Sequence, residues 1–366
     1  MFRKSWWQGS SNSPTPLSLA LQGGGAHGAY TWGVLDRLLE DEWQLEGISG
    51  TSAGAMNAVA LAQGWTTGGA EGARESLDAF WGAVADSTPF QLDLMQSLNP
   101  AGNGALPASM SMMLGFTRLF SPYQLNPFEL NPLRDVVRAQ FDFERIRRDC
   151  RLKLFIAATR VKSGKVRLFR TGELSEDALL ASACLPTVHH AVEIDGEAYW
   201  DGGFTANPAI YPLMYECATP DILLVLLNPL SRPEAPHTAE EIAARSMELG
   251  FSTTFLREMR MIAHARAYIE ETASLMPFGR FERKLMRLRF HMVEAEELAE
   301  AGSASKMNAT RSFLTDLRDM GRARAGRHVF RISLHFTPWP PGTHAATPAA
   351  AAAPPRVTRP TRRCGG

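Results

Sequence analysis

The chain has 366 residues, 45% of them hydrophobic and 21% charged, the make-up of a folded globular protein with room for one large domain or two ordinary ones. Lys plus Arg number 38 and Asp plus Glu number 38, so the formal net charge is zero and the basic surplus that nucleic-acid binding uses is missing. The four cysteines, Cys150, Cys184, Cys217 and Cys364, are far apart and form no C-x-x-C pair, which argues against a disulfide framework or a zinc site and for a reducing compartment.

Residues 1–16 lack the apolar core of a signal peptide and are expected to be a disordered segment. The longest clean apolar run, residues 222–227, falls far short of the roughly 18 to 20 apolar residues of a spanning helix. The expected location is the cytoplasm. Trp6 and Trp7 beside Arg3 and Lys4 leave open a peripheral contact at the inner face of the membrane.

Residues 17–21 form an apolar strand that ends in glycines, and 29–39 carry Val34, Leu35, Leu38 and Leu39 at helical spacing. A second short strand at 46–49 meets a second glycine turn, and the small apolar residues 55–62 suit a helix packed closely on a sheet. Strand, turn and helix twice over predict an α/β fold with a parallel sheet. The stretch 89–132 is rich in Met, Phe, Leu, Pro and Asn and reads as an insertion, either a lid or interfacial surface for acyl chains or a packed subdomain. Further strands fall at 152–159, 166–170, 197–200 and 222–227, the last continuous enough for a central parallel position. A helix spans 238–274, a strand 287–292 and another helix 295–317. Past residue 336 the chain is rich in Pro, Ala and Arg and cannot bury enough apolar surface to offset its ordering entropy, so 337–366 is expected to be disordered. The domain plan is therefore a catalytic domain at 17–235 containing the insertion, a mainly helical extension at 236–336, and the tail.

The first glycine turn fits two chemistries. Gly23, Gly25 and Gly28 spell the G-x-G-x-x-G of a dinucleotide site. The same loop can turn backbone N–H groups toward a reacting carbonyl oxygen. The second turn, Gly50-Thr51-Ser52-Ala53-Gly54, is G-x-S-x-G between a strand and a helix, the setting of a nucleophile elbow. Its glycines permit a sharp turn that lifts the Ser52 hydroxyl clear of the sheet, and the helix that follows aims its dipole at developing negative charge. A dinucleotide site needs an acid at the end of the second strand to hold a ribose. Glu46 begins that strand, and Gly50 and Ser52 occupy its end. No nicotinamide, flavin or other cofactor and no metal is expected. The third element, Asp201-Gly202-Gly203, sets a carboxylate on a tight turn after a strand. Singly, each element has a plain structural reading: Ser52 as a helix N-cap, the first loop as close packing, Asp201 as a turn former.

With these three motifs in this order, the sequence resembles the bacterial patatin-like phospholipases and acyl hydrolases over residues 17–213, and the stretch to 336 resembles the C-terminal extension of some bacterial members. The resemblance implies a three-layer α/β/α sandwich around a mainly parallel sheet. It implies a Ser52–Asp201 dyad without histidine and an oxyanion hole from the N–H groups of Gly23, Gly24, Gly25 and Ala26. Gly28, Gly50, Gly54, Gly202 and Gly203 then support the turns. The implied substrates are lipid acyl esters, phospholipids and other glycerolipids, with no nucleic-acid partner. His27 stands where the family often has Arg or Lys, which removes a permanent positive charge near the site and bears on any preference for anionic headgroups. His189 and His190 suit a pocket wall. His237, His264, His291 and His328 follow Asp201 and are the positions from which a Ser–His–Asp triad would draw; the dyad is favoured. The alternatives are hydrolysis of another acyl ester or thioester, such as a storage polyester, and a non-catalytic nucleotide-binding or scaffold protein. Oligomeric state is not written in the sequence.

Overall fold

The computed structural model describes residues 15–87, 121–230, 234–272, 278–301, 303–327 and 330–332. Nearly all of the N-terminal segment, most of the 89–132 insertion, and the tail lie outside the described residues. A nine-stranded sheet organises the rest, in the order β5-β6-β3-β2-β1-β7-β8-β9 with β4 paired on β3. The strands are β1 (Thr15–Leu21), β2 (Trp43–Thr51), β3 (Lys153–Arg160), β4 (Val166–Arg170), β5 (Val192–Ile194), β6 (Glu197–Asp201), β7 (Asp221–Leu226), β8 (Arg289–Glu294) and β9 (Phe330–Ile332). The central five, β3-β2-β1-β7-β8, are parallel; β4, β5, β6 and β9 add antiparallel pairs toward the edges.

Strand periodicity divides the core into two layers, one on each face of the sheet. Leu17, Leu19 and Leu21 of β1 and Leu223 and Val225 of β7 face one layer, made with α1 (Gly28–Leu38), α2 (Ala53–Asp86) and the buried Leu314 and Leu317 near the C-terminal end. Ala20, Ile222, Leu224 and Leu226 face the other, with Phe255, Met259 and Ile262 of a long helix and Leu213 of a short one. Full burial of one aliphatic side chain stabilises by about 1.5–3 kcal/mol. A one-residue slip of β1 or β7 would exchange the two sets, so the register is set by these residues.

The remaining helices are α3 (Pro122–Leu125), α4 (Pro132–Gln140), α5 (Phe143–Asp149), α6 (Glu176–Ser182), α7 (Tyr211–Glu216), α8 (Ala239–Thr272), α9 (Arg280–Arg287) and α10 (Arg311–Arg327). The sheet continues past residue 235 through β8 and β9, and α10 lies across α1. Two glycines permit that crossing: a Cβ at Gly33 would strike the Arg318 carbonyl oxygen, and one at Gly321 the Tyr30 carbonyl oxygen.

Two expected elements are corrected. The helix placed at 295–317 is two 3-10 turns, Glu296–Glu300 and Ser303–Met307, and α10 begins only at Arg311. Asn308 Oδ1 accepts the Thr310 N–H at 3.1 Å and the Thr310 hydroxyl at 2.9 Å, a local bonding pattern that competes with helix. The strand placed at 287–292 starts at Arg289, because Arg287 closes α9 and Arg289 is the first residue in register with β7.

Candidate active site

Ser52 is the joint between β2 and α2. Its backbone sits at φ +54°, ψ −122°, a conformation disfavoured for a residue with a Cβ. The turn around it is crowded: a Cβ at Gly50 would meet the Gly54 carbonyl oxygen at 2.6 Å, and one at Gly54 would strike the Leu21 carbonyl oxygen. The N-cap reading of Ser52 does not hold, since its side chain accepts no capping hydrogen bond from α2. Its hydroxyl lies near enough to the Asp201 carboxyl to oppose the rise in that group's pKa, and its backbone N–H donates to Ser182 Oγ at 2.9 Å.

The sheet explains how residues so distant in sequence meet. β4 pairs with β3 from Phe155 to Thr159, so the partners on the other side of β3 are β2 and then β6. Thr51 pairs with Ala157 and Asp201 with the next residue, Ala158. β2 runs parallel to β3 and β6 antiparallel, so their carboxyl ends run head-on into each other and deliver Ser52 and Asp201 to one point. The turn after β6 is equally tight, since a Cβ at Gly202 would strike the Ala157 carbonyl oxygen.

Asp201 is 1% exposed. Burial pushes its carboxyl up to about 7, against the opposing pull of the Gly203 N–H, at 2.7 Å from Oδ1, and the Ser52 hydroxyl. Both partners are neutral. The Asp201 backbone is held by its own N–H to the Cys184 carbonyl, 2.8 Å, and by the Thr159 hydroxyl on its carbonyl, 2.8 Å.

The first glycine loop follows β1, the neighbour of β2, and leans on the elbow: a Cβ at Gly23 would lie 2.8 Å from Ser52 Cβ. Gly25 is at φ +60° and packs under the Lys306 carbonyl. Gly28 lets α1 approach Ala53 and Trp81. One expected donor is already engaged, because the Gly23 N–H donates to Asn207 Oδ1 at 2.7 Å. Among the described residues no hydrogen bond engages the N–H of Gly24 or Gly25. Asn207, buried and six residues after Asp201, thus fixes the loop against the elbow. Asn207, Ser182 and Gln22, whose Oε1 accepts the Leu227 and Asn228 N–H groups, escaped the sequence reading. Only Asn207 carried a local signal, its place just behind the D-G-G turn.

His27 is buried with Nε2 2.7 Å from Ser305 Oγ, and burial, with the nearby Lys306 charge, lowers its pKa to about 3. It is neutral and contributes no positive charge. His189 and His190 border a small cavity with Leu180, Ala183 and Cys184, and His190 stacks on Tyr123 at 4.0 Å. Burial pushes the Cys184 thiol up to about 12, so it is no nucleophile. His291 pairs with Asp221 at the amino end of β7, His264 is exposed on α8, and His237 precedes α8. His328 lies outside the described residues. No described histidine bonds to Ser52 or Asp201. Glu46, weighed as a ribose-binding acid, lies in the amino-terminal half of β2, where it accepts the Ala218 and Thr219 N–H groups and pairs with Lys153.

The fold therefore sets a crowded, positive-φ turn at Ser52 against the first glycine loop and beside Asp201. Residues 19–214, more than half of the chain, match the family described as patatin-like phospholipase, and the chain belongs to that family. It is accordingly a member of a lipid acyl hydrolase family. Among solved structures, the crystal structure of VipD from Legionella pneumophila is similar at 16% sequence identity and a TM-score of 0.36, over 84% of this chain and 68% of that one. Comparison with curated proteins returns no match. Among the described residues no helix is long and apolar enough to cross a membrane, and no cluster of His, Cys, Asp and Glu could hold a metal ion.

Proposed function

We propose that the protein hydrolyses lipid acyl esters through a Ser52–Asp201 dyad. The observation that carries the reading is Ser52, set at positive φ beside the buried Asp201 carboxyl, which makes no ion pair among the described residues. A carboxyl held near 7 is partly ionised at neutral pH and is a stronger base than an ordinary aspartate. Asp201 takes the hydroxyl proton while Ser52 Oγ bonds to the ester carbonyl carbon. The oxyanion lies toward the Gly24 and Gly25 N–H groups and the N-terminus of α2; one such donor is worth roughly 3 to 4 kcal/mol of barrier in other hydrolases. Collapse breaks the ester C–O bond, and the leaving alkoxide takes the proton from Asp201. Water then gives a proton to Asp201 and its oxygen to the acyl carbon; the acyl–Oγ bond breaks, Ser52 Oγ takes the proton back from Asp201, and the fatty acid leaves. The substrate class, lipid acyl esters, is supported by family membership.

The test is turnover of 4-nitrophenyl esters of graded chain length and of a diacyl phospholipid in micelles. Wild type releases nitrophenol and fatty acid, with longer chains preferred, and Ser52→Ala releases neither. A wild type inert toward every ester, or a Ser52→Ala variant as active as wild type, overturns the reading.

A further inference from the structure

The turn behind Asp201 is covered by a part of the chain outside the family match. α8 lies beyond residues 19–214, and Phe255, Met259 and Ile262 seat it on the second core layer. Phe251, one helical turn before Phe255, is half-buried and belongs to none of the buried apolar clusters among the described residues. Its ring reaches the 3-10 turn Gly202–Phe204 instead. The place of a Cβ on Gly203 is 3.0 Å from Asp201 Oδ1 and 3.2 Å from Phe251 Cδ2 and Cε2, so ring and carboxyl oxygen flank one glycine. Phe204 meets the same ring edge-on with centroids 4.9 Å apart, and is 41% exposed while Asp201, Gly202 and Gly203 are buried. The two rings therefore stand between the Asp201 turn and solvent. Hydrocarbon offers an ionised carboxylate no hydrogen bond in place of the water it excludes.

We propose that Phe251 is a positioning residue that keeps water off the Ser52–Asp201 dyad, acting through the Gly203 turn. The proposal rests on the acyl hydrolase reading above and adds to it a residue of the C-terminal extension. A carboxyl walled by hydrocarbon holds its proton more tightly and, once ionised, is the stronger base for a serine hydroxyl. Burial is accordingly the largest influence on Asp201. The charged groups on the elements packed around this turn are Glu248 and Glu258 of α8, Glu176 and Asp177 of α6, Arg160 of β3 and Glu197 of β6. None of them sets the titration of Asp201, and the neighbouring Cys184 is a neutral thiol. Losing an ordinary packing residue lowers stability and leaves that titration in place. Losing a water barrier moves the pH at which Asp201 gives up its proton.

The test follows fluorophosphonate labelling of Ser52 in the full chain by intact mass, from about pH 5 to about pH 9. In wild type the rate should rise with pH through a midpoint of about 7. Phe251→Ala should move that midpoint down by about one pH unit or more and lower the rate at high pH by about three-fold or more, because a hydrated Asp201 ionises earlier and is a weaker base. Phe251→Tyr keeps the ring and should keep the wild-type midpoint. Phe251→Val covers misfolding of the alanine variant: it keeps an apolar stub without the ring and should shift the midpoint part of the way. A folded alanine or valine variant with the wild-type midpoint overturns the proposal, whatever its melting temperature. So does a tyrosine variant that shifts as far as the alanine one, or a wild-type rate that does not vary with pH. If wild-type Ser52 is labelled and the midpoint is indifferent to Phe251, only the water-barrier assignment falls. If wild-type Ser52 is labelled at no pH, the hydrolase reading falls with it.

Discussion

Two aspartates, both 1% exposed, sit at opposite edges of the same sheet and differ in their partners. Asp221 opens β7 at the amino end. Arg289 grips it through both carboxylate oxygens, with Nε 2.7 Å from Oδ1, and His291 Nε2 lies 2.8 Å from the same oxygen. Burial by itself would raise its pKa, but the bonds from His291 and Arg289 more than offset that and hold it below the usual range. Asp201 closes β6 and, among the described residues, meets the Gly203 N–H and the neighbouring Ser52 hydroxyl but no cation, so burial wins and the pKa rises to about 7. Cationic partners depress the pKa of one buried carboxylate, and burial without them raises that of the other. The amino end of the sheet is locked by ion pairs, and the carboxyl end keeps an uncompensated acid beside a strained serine.

The sharpest way to break this contrast is to neutralise each aspartate in turn. Asp201→Asn should lower kcat on any ester substrate by roughly 10³-fold or more, as for loss of a member of a catalytic unit that acts together. Asp221→Asn should leave kcat per folded molecule within about three-fold, because its surroundings lie at the far end of the strands. Equal losses of activity in the two variants would erase the distinction.

Stability should show the reverse order. Asp221→Asn leaves Arg289 and His291 facing a neutral amide and should destabilise by roughly 2–4 kcal/mol in urea unfolding. Asp201→Asn removes a carboxylate whose ionised form is penalised by burial, so it should be neutral or stabilising at pH 8. An Asp201→Asn variant that unfolds as readily as Asp221→Asn would assign Asp201 a structural role.

The pH responses are opposite in sign. Asp201 has a folded pKa raised to about 7, so between its ordinary value and 7 the folded state holds the proton that the unfolded state releases. Wild type should therefore lose stability relative to Asp201→Asn as pH rises from about 4 to 7, while kcat/KM climbs with an apparent pKa near 7. The Asp221 contribution is fully present above the ordinary carboxylate range and disappears as pH falls through its depressed folded value. A flat activity profile between pH 5 and 8 in wild type would contradict the first half.

A smaller effect is expected at Asn207, which holds the glycine loop without touching the reacting atoms. Asn207→Leu should lower kcat by about ten- to a hundred-fold with little change in KM, since loss of one loop anchor misplaces oxyanion donors. Asn207→Asp, which keeps an acceptor for the Gly23 N–H, should recover part of kcat. A change confined to KM would place Asn207 in substrate binding instead.

What the sequence disclosed and what it withheld follow from the range of the interactions. The Ser52 elbow and the Asp201 turn were legible because strand-to-turn transitions and glycine requirements are written within five residues. The α/β class with a parallel sheet followed from the repeated strand, turn and helix at the start, and the three-layer sandwich from the family resemblance. The head-on meeting of β2 and β6 was not legible, because β6 reads as a strand whichever way it pairs. Asn207 was hidden for the same reason: its partner Gly23 lies 184 residues away. The stretch 295–317 misled because Ala, Glu and Leu promise helix, while Asn308 bonding to Thr310 delays it to Arg311.

The central claim, that Asp201 activates Ser52, is tested most directly by the rate at which a fluorophosphonate modifies Ser52, followed by intact mass at pH 8. Wild type should gain one adduct, located on Ser52. Asp201→Asn should gain it at least about 10²-fold more slowly while retaining its fold, and Ser52→Ala should gain none. Labelling of Asp201→Asn at the wild-type rate would contradict the account.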